Sequence, residues 1–158
     1  MDKLTIGLID AARNGDIDTL QNLITEGADI NAHDEKGFTP LIIATYNRQY
    51  NASKWLISHG ADVNAADAGG NTALMGACFK GYTDIVKLLI SSGSDLNRQH
   101  GNGGTALMFA AMFGRNDIVK ILLEHDADKT ILDSRGLSVF DLAAQQGNET
   151  AIGLLETY

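Results

Sequence analysis

Between Thr83 and Ser91 apolar side chains fall at Ile85, Val86, Leu88, Leu89 and Ile90. That spacing gives one broad apolar face at helical periodicity. Thirty-three residues on, the face returns as Ile118, Val119, Ile121, Leu122 and Leu123, and it stands near the start of the chain as Ile17, Leu20, Leu23 and Ile24. A shorter run of small residues precedes each. Leu8, Ala11 and Ala12 match Leu74, Ala77 and Cys78, and Leu142, Ala143 and Ala144 recur near the end. The pattern predicts pairs of helices, a short one followed by a broader-faced one, at a fixed period of thirty-three residues. A period of this length signals stacked repeats, in which each unit buries its apolar face only against its neighbours.

Punctuation keeps the same register. Gly15, Gly81, Gly114 and Gly147 stand between the paired helices, and Gly27, Gly60 and Gly93 are placed to stop the second helix in a left-handed turn. Arg48 replaces the first kind of glycine, so that turn is expected to carry strain on the order of 1 kcal/mol. Asp126 replaces the second kind, and Asp tolerates the left-handed region better than most residues. Thr39-Pro40 is the strongest helix start, a capping hydroxyl followed by a proline suited to the first position. In the second unit, Ala52 and Ser53 stand where Ile85-Val86 and Ile118-Val119 are bulky; Trp55 and Tyr50 are expected to restore that volume. The register divides the chain into a capping unit (1–33), three internal units (34–66, 67–99, 100–132) and a closing unit (133–158). The match of Leu8, Ala11 and Ala12 predicts a short first helix ending near Asn14-Gly15, and Ile6-Gly7 stands where later units have Thr-Pro or Thr-Ala, as expected of a terminal copy.

Charge adds an asymmetry. The chain carries a net charge of −8, which argues against a nucleic-acid partner, since that needs a basic stripe. Residues 1–35 hold eight acidic residues against Lys3 and Arg13, a local balance of −6. This is either a solvated outer face or an acidic end that steers a basic partner. The single cysteine, Cys78, excludes an intramolecular disulfide and fits a reducing compartment. It takes a position filled elsewhere by Ala12, Thr45, Ala111 and Ala144, so a small buried thiol is expected. No secretory signal is read in Leu4 to Ile9, and no apolar run approaches the roughly 18 residues of a membrane span. The expected setting is the cytoplasm.

Candidate chemistry is sparse. His59 and His125 are two units apart and cannot meet in a linear stack, and no Cys/His ligand spacing exists. Gly101 to Gly104 lacks the Lys-Ser/Thr of a phosphate loop and reads as turn chemistry. Asp29, Asp62, Asp95 and Asp128 are a repeat apart and bond locally rather than converging on calcium. No nucleophile–base pair is present. No cofactor, metal or catalytic residue is expected.

The motif Gly-x-Thr-Pro/Ala-Leu, an Ala-Ala helix, Gly, a helix ending Leu-Leu, and Gly-Ala-Asp-x-Asn resembles the ankyrin-repeat family over essentially the whole chain. The Thr-Ala-Leu-Met form is similar to small bacterial members. The resemblance implies an all-α solenoid of stacked helix-turn-helix units with projecting β-hairpin loops, curved so that hairpin tips and first helices line a concave groove. The histidine frequent after Thr-Pro-Leu in the family is replaced by Ile42, Met75, Met108 and Asp141, which implies a more apolar seam without that residue's bonds.

The family binds other proteins, and its contact positions fall at the hairpin tips and after the Ala-Ala pair. At the tips the resemblance points to Glu35, Lys36 and Phe38, to Asn71 with Ala68 and Gly69, to Asn102 with Gly104, and to Arg135 with Ser134 and Leu137. After the pair it points to Tyr46 and Asn47, Phe79 and Lys80, and Met112 and Phe113, with Arg13 and Asn14 before them and Gln145 and Gln146 after. Tyr46 and Phe113 are expected to be exposed contacts; Phe79 and Met112 either join that row or fold onto the adjacent unit. The implied function is non-enzymatic: a monomeric scaffold holding a protein partner, as a regulator, inhibitor or antidote-type protein. Self-association without a separate partner and an enzyme of unrecognised type are the alternatives.

Overall fold

The computed structural model describes residues 1–158 as ten helices: α1 Lys3–Asn14, α2 Ile17–Thr25, α3 Pro40–Tyr46, α4 Tyr50–Ser58, α5 Ala73–Lys80, α6 Thr83–Ser91, α7 Ala106–Met112, α8 Asn116–Glu124, α9 Val139–Gln145 and α10 Glu149–Thr157. The odd helices pack side by side in one row and the even helices in a second row behind it. The fold is an all-α solenoid.

Local chemistry sets each start. Thr39, Thr72, Thr105 and Ser138 sit in extended backbone, and each hydroxyl accepts the amide three residues on, at 3.1 to 3.3 Å. Such caps satisfy one of the four free amides of a helix start. α1 departs from the expected short helix. Asp2 accepts the Thr5 amide at 2.7 Å, so the helix begins four residues before the position of the other caps.

The expected turn strain is present. Arg48 has φ 54° and Asp126 φ 62°, the only non-glycine residues in the left-handed region. Arg48 reaches across to the next pair, 3.4 Å from the Asp84 carboxylate and 5.2 Å from the centre of the Tyr82 ring. The volume compensation in α4 is only half realised. Trp55 is partly buried and stacks on His59 with centroids 3.9 Å apart, whereas Tyr50 is exposed and fills nothing. Its position at the very start of α4 turns it to solvent.

Cys78 is fully buried, and burial pushes its thiol pKa up. Ile42, Met75 and Met108 are buried as the apolar seam implied, while Asp141 is exposed and bonded to its own cap, Ser138. Polar bonds between neighbouring helix pairs come instead from the asparagine of the Gly-Ala-Asp-x-Asn motif and from the starts of the even helices. Asn31, Asn64 and Asn97 accept the amides of Asp62, Asp95 and Asp128 at 2.7 to 2.8 Å. Gln49, Arg115 and Asn148, at the starts of even helices, donate to the carbonyls of Arg13, Phe79 and Ala111 at 2.9 to 3.1 Å. Those carbonyls close the odd helix of the preceding pair, where acceptors are otherwise free.

Candidate interaction face

Four tight loops project between the helix pairs. In each, two backbone bonds close a five-residue turn, as between Asp67 and Asn71 (2.9 Å) and between Gly70 and Asp67 (2.9 Å). Regular strands do not form; one isolated bridge, Ala66 to Thr72, is all that remains of the expected hairpin ladder. The tips are tied to one another instead. The amides of Ala68, Gly101 and Ser134 donate to the carbonyls of Lys36, Gly69 and Asn102 at 2.9, 2.9 and 3.0 Å. This line of bonds holds the tips in register along the stack.

In three of the four loops a carboxylate gathers amides, while in the loop 100–104 His100 holds that position. Asp34 accepts from Lys36 and Phe38, Asp67 from Gly69 and Asn71, and Asp133 from Arg135 and Leu137, all at 2.9 to 3.0 Å. The Leu137 amide foremost, then the Arg135 side chain, holds the Asp133 carboxyl below the usual carboxylate range. Asp29, Asp62, Asp95 and Asp128 bond the residue two positions on in the same way, and no three potential metal ligands converge anywhere.

The residues singled out from sequence divide between two clefts. The first, about 320 Å³, lies between α3 and α5 and brings Phe38, Tyr46, Asn71 and Phe79 together. The second, about 530 Å³, lies between α7 and α9 and brings Asn102, Met112, Phe113 and Arg135 together. Glu35, Lys36, Asn47 and Lys80 line neither.

Tyr46 and Phe113 are exposed, at 42% and 44%. Phe79 is half-buried and meets the edge of Phe113 with ring centroids 4.6 Å apart, so it leans onto the next helix pair while still lining the first cleft. Met112 is likewise half-buried. The Lys80 ammonium lies 4.8 Å from the centre of the Tyr46 ring, within cation–π range. Several polar candidates are already engaged: Asn71 with Asp67, Arg135 with Asp133 at 2.9 Å, and the Asn47 amide with the Ile43 carbonyl at 2.8 Å. Glu35 and Lys36 stand exposed at the first tip.

Two positions were missed. Phe109 lines both clefts and separates them, with its ring 5.1 Å from that of His100. Gly76 lines the first cleft on α5, at the register held by Ile43 on α3 and Phe109 on α7. The signal was a glycine inside a helical pattern, which costs stability unless it serves packing or function.

A sequence-family model described as ankyrin repeats (three copies) matches residues 8–100 and 77–158. No curated protein sequence matches the chain.

Proposed function

The chain belongs to the ankyrin-repeat family, and we propose that it holds a protein partner against its hairpin tips and odd helices. Ankyrin repeats mediate protein–protein interaction and are typically non-enzymatic. The observation that carries the proposal is the row Tyr46, Phe79 and Phe113, which crosses three helix pairs on one face with both ends exposed. Aromatic side chains left in water on a rigid surface are typical interaction hot spots. A preformed face also avoids the ordering cost that flexible binders meet.

In finer terms the protein is a single domain of five units acting without cofactor as a regulator, inhibitor or antidote-type partner, as a monomer in the cytoplasm. Supporting the monomer, the first and last helix pairs carry exposed polar residues, with Asp10, Arg13 and Asp18 in one and Asp141, Glu149 and Glu156 in the other. No helix is long and apolar enough to cross a membrane. The test is capture from native lysate by the immobilised chain, read by mass spectrometry. Tyr46→Ala with Phe113→Ala is expected to lose the specifically captured protein while the melting temperature barely moves. Undiminished capture by the double variant refutes the assignment of the face, and scattering mass that rises with concentration refutes the monomer.

A further inference from the structure

The first cleft is built around an absent side chain. Gly76 sits inside α5 where the neighbouring odd helices carry Ile43 and Phe109, and a Cβ there would come within 3.1 Å of the Tyr46 ring. The vacancy leaves a notch walled by Phe38, Tyr46, Phe79 and Phe109, and lined also by Asp67.

Asp67 differs from its counterpart in the last hairpin. The second oxygen of Asp133 is taken by its own chain, with Arg135 Nη2 at 2.9 Å and Nε at 3.3 Å. The register position of Arg135 is held in the second hairpin by Gly69, which has no side chain. Asp67 accordingly enters no ion pair, and its Oδ2 receives only the long 3.4 Å approach of Asn71 Nδ2. An aromatic notch and an unneutralised carboxylate therefore share one cavity.

Resting on the proposed interaction face, we propose that this notch seats an arginine side chain of the bound protein, with Asp67 as its counter-ion. An apolar anchor would fill the volume but strip water from the carboxylate with nothing in exchange, which is unfavourable. A guanidinium supplies the N–H donor that Arg135 supplies to Asp133, and its planar, weakly hydrated face lies flat against aromatic rings, whereas an ammonium such as that of Lys80 over Tyr46 meets a ring only as a point charge. The methylene stem packs along the notch walls while the charged head meets Asp67. The acidic balance of −6 over residues 1–35, on the side of the notch toward α1, attracts a basic segment to this half of the face.

The test uses the full chain and small probes, followed by two-dimensional amide NMR. Nα-acetyl-arginine N-methylamide is expected to move the amides of Asp67, Gly69, Gly76 and Phe79 saturably. It should bind about tenfold more tightly than its neutral citrulline counterpart, the factor a charge-assisted hydrogen bond gives. Gly69→Arg supplies the cation within the chain and is expected to abolish probe binding while the fold persists. Gly69 is outside the left-handed region, and a Cβ there meets only side-chain ends, Asn71 Nδ2 at 3.1 Å and Asp67 Oδ1 at 3.4 Å, so the variant is compatible with the hairpin. Equal binding of the citrulline or acetyl-leucine amide, no saturable shift up to the solubility of the arginine probe, or undiminished binding by Gly69→Arg each overturns the proposal. Failure here with lysate capture still sensitive to Tyr46→Ala removes only the arginine seat, whereas capture insensitive to Tyr46→Ala and Phe113→Ala removes the face itself.

Discussion

Replacing Gly76 by alanine separates a glycine kept for packing from one that leaves room for a ligand. Glycine inside a helix is about 0.8–1.0 kcal/mol less favourable than alanine, and that cost is recovered in Gly76→Ala. Against it stands the new Cβ, 3.1 Å from Tyr46 Cδ1, a few tenths of an ångström inside ordinary contact. Tyr46 is 42% exposed, so its ring can swing outward. A side-chain torsion displaced from its well costs on the order of 0.5 kcal/mol. The expected net gain is about 0.5 kcal/mol, or 1–2 °C in melting temperature for a chain of this size.

Gly153→Ala is the internal control. Gly153 lies within α10 with nothing inside 4 Å of its would-be Cβ, so the full propensity gain should appear there. Urea unfolding of both variants at matched m-value gives the comparison. If Gly76→Ala loses more than about 1 kcal/mol while Gly153→Ala gains, Tyr46 is clamped rather than mobile. The notch is then a packing feature, and no ligand need be invoked for it.

Arg48→Gly is expected to be more stable than Arg48→Ala by about 1 kcal/mol in urea unfolding, because both lose the exposed Asp84 pair and only glycine relieves the left-handed backbone. Ser94→Ala should stabilise the fold by roughly 1 kcal/mol in urea unfolding: Ser94 Oγ is the one buried side-chain polar atom without a partner, and the equivalent Ala28, Ala61 and Ala127 show that alanine suits the site. Asp2, Asp16, Asp128 and Asp133 have pKa values lowered by nearby amides and hydroxyls, chiefly those of Thr5, Thr19, Thr130 and Leu137. Their stabilisation is present above the ordinary carboxylate value of about 3.9 and lost as pH falls through the lower folded values, so the urea midpoint should hold from pH 7 to about 5 and then drop; a midpoint that rises below pH 4 contradicts the assignment.

The repeat register made the fold legible because helix, turn and cap positions recur together, and chance does not align three such signals at one spacing. Strain at Arg48 and burial of Cys78 followed from comparing each with its equivalents. The ladder through Asn31, Asn64 and Asn97 was hidden for a physical reason: an asparagine two residues after an aspartate reads as local turn chemistry, and only stacking shows its carbonyl on the next unit's amide. Tyr50 was misjudged because volume lost at Ala52 says nothing of which side chain can turn toward the gap. At the site, exposure of Tyr46 and Phe113 was readable from position alone. Phe109 was not, since its role depends on the missing side chain of Gly76 one pair away.

The buried apolar residues form two clusters, and where they part predicts how the stack opens. One cluster of 24 residues runs from Ala73 to Leu155 and takes in Ile42; the other, of 10 residues, holds Leu8 to Leu56. The division follows α4, which buries Ala52 and Ser53 at the register where α6 buries the bulky Ile85 and Val86. At roughly 0.8 kcal/mol per buried CH2, Ala52 in place of an isoleucine forgoes about 2 kcal/mol at this seam. Trp55 packs only against its own cluster and Tyr50 is exposed, so Phe38 and Ile57, which touch both clusters, are left to bridge the seam. In a linear stack, stability is a sum of unit and interface terms, so a weak interface sets the boundary of a unit that opens alone. Native-state hydrogen exchange in low urea is expected to show the amides of α1 to α4 exchanging through a common opening of lower free energy than those of α5 to α8. If all protected amides merge into one isotherm of equal slope and intercept, the seam transmits full cooperativity and the deficit at Ala52 is made good elsewhere.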